Sequence, residues 1–429
     1  MSNNFIAIIG NRQGWGQAIP FGIAIKDSRQ HLYVIGKTGS GKTTLLKSLI
    51  CQHIQAGHGV GVIDPHGDLA EELLDFIPPN RTNDVAYFNP SDLEFPIGIN
   101  LLANVPLDER HLVASGVVEA FKGIWRDSWG PRLEYILHNA LAALLDCEGV
   151  TILGVTRMLS DAEFRRRVVK NIKDPLVRSF WVAEFAGYDS RYMAEAIAPV
   201  QNKVGQFLMN APVRNVLGQV RNRIDFRFVM NRERIFIANL SKGKLGADKA
   251  NLLGSLVTTQ FQLAAMRRVG IPEESRKDFF LFIDEFQNFT TGSFALILSE
   301  ARKYRLCMTL SHQYMDQLTE EVRKAVLGNV GSIIAFRVGS TDAEILEKEF
   351  SGTFIATQFM DLGNYEIFVR LLTNGVSAEA FRAMTSPPFM VDYGRHEIVI
   401  RRSREQFAMR REVIEDKILR WSDGRRMSR

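Results

Sequence analysis

Short apolar runs rich in β-branched and aromatic residues recur along the chain at 31–35, 59–63, 85–88, 234–240, 279–283, 306–311, 332–338 and 365–371. Several are followed by segments of helical periodicity. Continuous apolar runs flanked by helices predict an α/β fold, with a largely parallel sheet covered on both faces. Ahead of them, residues 5–25 hold two short apolar stretches around Gly14 and Gly16, the pattern of a small hairpin capping the core. Between about 105 and 230 the strand rhythm stops. Amphipathic segments such as RLEYILHNALAALLD, DAEFRRRVVKNI and RYMAEAIAPVQNKVGQFLM replace it and predict an inserted all-α domain. After 385 the pattern weakens, and from Arg401 an Arg-rich helical tail begins. The expected organisation is a cap at 1–30, an α/β core at 31–104 and 231–385, the all-α insertion at 105–230, and a basic helical tail at 386–429.

Where the first strand run ends, residues 31–44 read HLYVIGKTGSGKTT. Gly36, Lys37, Thr38, Gly39, Ser40, Gly41, Lys42 and Thr43 fit the spacing G-x-x-x-x-G-K-[ST], in which glycines let backbone N–H groups wrap phosphates. The pattern predicts that Lys42 meets the β- and γ-phosphates of ATP and that Thr43 offers its hydroxyl to Mg²⁺. The helix opening through Thr44 points its positive end at the same anion. Average composition gives chance odds on the order of one in a hundred for such a match. The strand just before it lowers them further.

The run FFLFIDEF at 279–286 supplies an acidic pair at a strand end. Asp284 is expected to hold Mg²⁺ and Glu285 to polarise the attacking water. Neighbouring side chains on a strand face opposite ways, so both acids reach one site only where the strand ends and the chain turns. The plainer alternative is two exposed loop acids. Gln313 follows the run LCMTLSH, where its amide either senses the γ-phosphate and positions water or caps a helix. Before that strand, SEARKYRL offers Arg302, with Lys303 and Arg305 as neighbours, either as an arginine reaching a neighbouring subunit's phosphates or as a charged helix end.

Bulk properties change this picture little. Of 429 residues, 46% are hydrophobic and 24% charged, enough to bury a sizeable core. A net charge of +5 and a pI near 9.0 favour a polyanionic partner without establishing one. Cys51, Cys147 and Cys307 stand far apart with no metal-binding spacing, and read as core residues of a reducing compartment. The opening MSNNFIAIIG does not fit a signal peptide, and no run of about eighteen apolar residues occurs, so a cytoplasmic protein without a membrane span is expected.

Together these motifs resemble the HerA/FtsK superfamily of hexameric DNA pumps, and among them the TraG/TraD-type coupling ATPases of conjugation and type IV secretion. The resemblance covers roughly residues 20–385. It is carried by VIDPHGDL at 62–69, NPSDLEFPIGINLL at 89–102, RIFIANLSKGKLG at 234–246, and FIDEFQNF with ARKYRLCMTLSHQ. It implies a RecA-like P-loop NTPase core with an all-α domain inserted. It also implies an arginine finger eleven residues before the motif glutamine, which selects Arg302. Asp64, in the DPHG turn, is placed near the nucleotide, although an Asp-Pro pair that merely forms the turn is the other reading. Membrane-bound coupling proteins begin with transmembrane helices and HerA with a β-barrel. Neither is expected here, which points to recruitment by a separate subunit at the inner face of the membrane.

The resemblance implies six copies in a ring, with each ATP between one P-loop and the next subunit's Arg302. DNA in the channel would be held through its phosphates, independently of sequence and less tightly as salt rises. Lys242, Lys244 and the basic tail are the channel candidates, and Arg165, Arg166 and Arg167 either meet DNA or a relaxase-type cargo or form a solvated face. The competing expectation is a ring ATPase that serves as scaffold or nucleotide sensor in a defence or nuclease complex. A small-molecule kinase or transporter ATPase fits poorly, because no LSGGQ-type signature and no second P-loop occurs.

Overall fold

The computed structural model describes residues 5–14, 17–292, 294–387 and 390–423. Parts of the expected cap (1–4, 15–16) and tail (388–389, 424–429) therefore lie outside the described residues. By internal contacts the chain divides into two units: 1–88, 226–241 and 261–403 form the first, and 89–225, 242–260 and 404–429 the second.

The first unit is built on one sheet. Its strands are β1 (Ile6–Gly14), β2 (Gln17–Ala24), β3 (Leu32–Ile35), β4 (Gly59–Asp64), β5 (Val85–Phe88), β6 (Ile235–Asn239), β7 (Phe279–Ile283), β8 (Leu306–His312), β9 (Ser332–Ala335) and β10 (Glu366–Arg370). After β11 (Leu372–Thr373) and β12 (Val376–Ser377), which form a separate two-stranded hairpin, β13 (Phe381–Thr385) rejoins it. The order across the sheet is β2-β1-β13-β10-β9-β3-β8-β7-β4-β6-β5. From β9 to β5 every neighbouring pair is parallel. In β3, β4, β5, β6 and β7 every residue is buried, which is why they read as unbroken apolar runs. The run expected at 365–371 is a strand, but it pairs antiparallel with β9 and β13. The β1–β2 hairpin extends the sheet beyond it, β1 lying antiparallel to β13. The helix Lys42–Gln55 leaves the end of β3 and buries Leu45, Leu46, Leu49, Ile50 and Ile54, packing on β1 and β4.

The second unit is helical. Helices Arg110–Ile124 and Pro131–Leu145 pack together, burying Val113, Val117 and Phe121 on one and Ile136, Leu137, Ala140, Leu141 and Leu144 on the other. Irregular chain at 89–104 belongs to this unit although it has no helical period. Buried Asn100 fixes it by donating to the carbonyls of Val150 and Val220, both at 2.8 Å. The C-terminal segment from 404 joins the same unit. Ala408 bridges Ile97, Asn215 donates to Glu415 at 3.1 Å, and the Arg157 guanidinium lies over both Phe164 and Trp421. Arg165 donates to the Met158 carbonyl and covers the Phe185 ring, whereas Arg166 and Arg167 are exposed. Among the described residues no helix is long and apolar enough to cross a membrane, and the three cysteines are unpaired.

At the N-terminal edge of β7 and β8 in the first unit, Arg268 is fully buried. It donates to Asn231 Oδ1, the Lys277 carbonyl and the Tyr304 carbonyl, each at 2.9 Å. Burial lowers its guanidinium to about 10. Arg268→Ala would strand those three acceptors around a cavity. It should therefore lower unfolding stability by about 3 kcal/mol or more, measured by urea denaturation.

Candidate functional site

Three adjacent parallel strands end together at one cleft. In register, Ile35 of β3 lies beside His312 of β8, and Leu310 of β8 beside Ile283 of β7. The residues that follow each strand therefore emerge side by side: Gly36 after β3, Gln313 after β8, Asp284 and Glu285 after β7. The cleft holds about 270 Å³ and is lined by Thr38, Gly39, Gly41, Lys42, Thr43, Thr44, His66, Asp284, Glu285, Gln313 and Tyr365.

The loop after β3 is shaped by its backbone. Gly36 has no room for a side chain, since a Cβ would lie 2.5 Å from that of Phe336. Gly41 adopts φ +116° as the helix Lys42–Gln55 begins, a conformation that costs glycine little. Lys37 N–H donates to the Arg337 carbonyl at 2.8 Å, and Ser40 Oγ to the Lys37 carbonyl at 2.7 Å, closing the loop on itself. No side chain caps this helix, so its N-terminal N–H groups and positive dipole end are available to an anion. Buried Lys42 donates to the carbonyls of Gly36 and, at 3.2 Å, Lys37. Burial lowers its ammonium pKa, opposed by the charges of Glu285 and Asp284.

Asp284 and Glu285 are both buried and both line the cleft. The turn that allows this lies in Glu285 itself, which takes the left-handed conformation at φ 45°. For a residue with a Cβ that geometry is strained by about 1 kcal/mol or more, and the surrounding contacts must hold it. Glu285 Oε1 accepts from Gln313 Nε2 at 2.9 Å, and Oε2 from Gln287 Nε2 at 2.6 Å. Burial first, then the neighbouring Asp64 and Glu285 carboxylates, push the Asp284 carboxyl up to about 6. An oxygen donor set of Asp284 and Thr43 beside a phosphate-shaped loop suits Mg²⁺, a hard cation that keeps water and phosphate among its ligands.

Asp64 ends β4 fully buried, and its carboxylate serves the turn. Oδ1 accepts from His66 N–H at 2.8 Å and Oδ2 from Ala70 N–H at 2.9 Å. Burial still raises its pKa. It is His66, two residues on, that lines the cleft. Arg302 is not in this cleft. It lies in the turn Ala301–Tyr304 before β8, at the opposite edge of the sheet, with the seven-residue strand, roughly 20 Å, between it and Gln313. Arg302 and Lys303 are exposed, whereas Arg305 is half-buried and pairs with Glu273 at 3.5 Å. Lys242 and Lys244 lie in the short helix Lys242–Leu245.

Three residues at this site had no signal in the sequence. Tyr365 precedes β10 in a left-handed conformation (φ 65°), donating its N–H to the Ser40 carbonyl at 2.9 Å, so its ring borders Gly41. His66 and Gln287 stand inside the motifs VIDPHGDL and FIDEFQNF without a pattern of their own that marks them. The His66 position follows from the turn that Asp64 caps, and that of Gln287 from the turn Phe286–Asn288.

The fold is shared with solved structures. The bacterial conjugative coupling protein TrwBdeltaN70, in its unbound monoclinic form, matches with a TM-score of 0.63 and 15% identity, over 92% of this chain and 90% of that one. The plasmid coupling protein TrwB in complex with ADP and Mg²⁺ matches with a TM-score of 0.64 and 16% identity over 86% and 89%. VirB4 of Thermoanaerobacter pseudethanolicus matches with a TM-score of 0.58 and 15% identity over 92% and 99%. At such identities the likeness is one of fold, a RecA-like P-loop core with a helical domain. No curated protein matches by sequence. Residues 18–352 match the family described as type IV secretion-system coupling protein DNA-binding domain. That match spans more than three quarters of the sequence, and the chain belongs to this coupling-protein family.

Proposed function

We propose that the chain is an ATP-hydrolysing motor of the conjugative coupling type, working as a homo-hexamer that moves DNA through a central channel. The observation that carries this reading is the convergence of the P-loop, Asp284, Glu285 and Gln313 on one cleft from three neighbouring strand ends. Support also comes from the family itself and from relatives of the same fold that bind ADP with Mg²⁺ or the non-hydrolysable ATP analogue ADPNP.

Each residue then has a distinct task. The backbone of Gly36–Thr44 and the Lys42 ammonium bind the phosphates. Thr43 and Asp284 would hold Mg²⁺, which neutralises phosphate charge when bound. Glu285 takes the proton of the attacking water, and Gln313, already bonded to Glu285, reads the γ-phosphate. Arg302, exposed on the far edge from its own cleft, completes the site of the next subunit in the ring. Asp64 acts indirectly, by shaping the turn that brings His66 to the cleft. DNA is gripped through phosphates, with Lys242, Lys244 and the basic tail as channel contacts, and a partner subunit recruits the ring to the secretion channel.

Lys42→Ala should abolish nucleotide binding, whereas Glu285→Gln should keep binding and lower turnover by about a hundredfold or more. Titration with a fluorescent ATP analogue and phosphate-release assays check both. With wild-type protein, ATP should drive displacement of a block bound to DNA. Turnover without displacement, with the recruiting partner present, would favour a scaffold or sensor role.

Rings mixed from Arg302→Ala and Lys42→Ala subunits should recover part of the turnover that each variant lacks alone. In such rings some intact P-loops face intact arginines. No recovery at any mixing ratio, with rings assembled, would rule out action between subunits.

The Asp284 carboxyl is neutral below about 6 and charged above it. Mg²⁺-dependent nucleotide affinity should therefore strengthen as pH rises through that value. Calorimetric titration at pH 5.5 and 7.5 checks this, and Asp284→Asn should flatten the dependence to the part set by ionisation of the nucleotide's own terminal phosphate.

A further inference from the structure

Glu285 is held by two amides that differ in kind. Gln313 reaches Oε1 from the end of another strand, at 2.9 Å, and itself lines the cleft. Gln287 reaches Oε2 from two residues along the same chain, at 2.6 Å, and is not one of the residues that line the cleft. The Gln287 bond is local, fixed by the turn Phe286–Asn288, in which the N–H groups of Asn288 and the following Phe289 donate to the carbonyls of Glu285 and Phe286. The Gln287 Oε1 atom is buried and has no hydrogen-bond partner among the described residues. Turning the amide over would set that oxygen against a carboxylate oxygen, so its one task is to donate to Glu285.

We infer that Gln287 is a positioning residue for hydrolysis: it anchors Oε2 of Glu285 so that Oε1 is the oxygen presented to water when Gln313 swings toward the γ-phosphate. An oxygen already accepting an amide N–H is a poor acceptor for the proton of water. Each carboxylate oxygen has a second lone pair, so catalysis needs only the oxygen that faces the cleft to be relieved of its amide, and that bond is the one from Gln313, which lines the cleft. The retained bond then confines a side chain that stands on a strained left-handed residue, keeping the base within the narrow range of positions from which it can act. This inference rests on the proposed role of Glu285 as the base.

The test measures ATP turnover and nucleotide binding of the full chain, with and without DNA, for three Gln287 variants and Glu285→Gln. Gln287→Met keeps the length and apolar stem but loses the donor. It should lower kcat on the order of tenfold to a hundredfold, with KM and thermal midpoint close to wild type. Gln287→Ala should fall as far. Gln287→Glu should fall further, because a second carboxylate cannot donate and repels the first. If Gln287 merely fills space, Met and Glu will both outperform Ala. That ranking, or wild-type kcat in Gln287→Met, overturns the inference, while undiminished turnover in Glu285→Gln overturns the base assignment itself. A loss in Gln287→Met expressed only in KM or in thermal stability would also overturn it.

Discussion

The cleft depends on the parallel registration of β3, β8 and β7. Each strand contributes only the residues just past its end, so the site exists because three ends fall at one level. A slip of one residue between β7 and β8 would turn every side chain of the slipped strand to the other face and send Asp284 away from Lys42. The buried runs LYVI, LCMTLSH and FFLFI make such a slip costly, since each residue moved out of place would break close packing on both faces of the sheet. Positioning of the chemistry is thus delegated to apolar residues that never touch a ligand.

Much of this was legible in the sequence because it is local. The P-loop glycines encode their own backbone shape, and the pair Asp284–Glu285 declares a strand end by placing two charges after five apolar residues. The need for a turn at that pair could also be foreseen, though not that Glu285 itself would adopt the left-handed conformation. What the sequence concealed depends on pairing between distant segments. Tyr365 reaches the P-loop only because β10 lies next to β9, and β9 next to β3. The joining of β1 to β13 is equally remote, as is the docking of the C-terminal segment on helices far earlier in the chain. For Asp64, the residue letters allowed either a turn or a nucleotide contact. Its carboxylate accepts from two backbone N–H groups of the turn, a role that only the three-dimensional pairing displays.

Charge in this protein is handled differently at the two ends of the sheet. At the C-terminal ends three carboxylates, Asp64, Asp284 and Glu285, are buried; burial raises the first two, and at Asp284 the charges of Asp64 and Glu285 add to the rise. The Lys42 ammonium offsets part of the charge of Asp284 and Glu285, and a Mg²⁺ held by Asp284 and Thr43 would offset more. At the N-terminal edge the excess is positive. Arg29 grips Asp278 through two bonds of 2.8 and 2.9 Å, Arg305 pairs with Glu273, and Arg268 and Arg276 hold backbone carbonyls of the turn that carries Arg302. Arg302 is exposed among arginines committed to structure.

Strand β8 joins these two edges, with Arg302 in the turn before it and Gln313 just after it. His31, at the start of the P-loop strand, fixes the arginine edge to β3. Its Nδ1 accepts from Met308 N–H of β8 at 3.1 Å, and its Nε2–H donates to the Leu298 carbonyl, near the end of the helix Phe294–Glu300 that leads into the Arg302 turn. Both bonds require the neutral ring with its proton on Nε2. Burial holds the His31 pKa at about 4, so that form persists throughout the physiological range. The connection is therefore indifferent to pH and rigid by packing. The P-loop strand and β8 are thus tied together at the arginine edge by one imidazole. On the proposed reading, in which Arg302 completes a neighbouring subunit's site, β8 would carry one contribution to each of two sites, Gln313 to its own and Arg302 to the next.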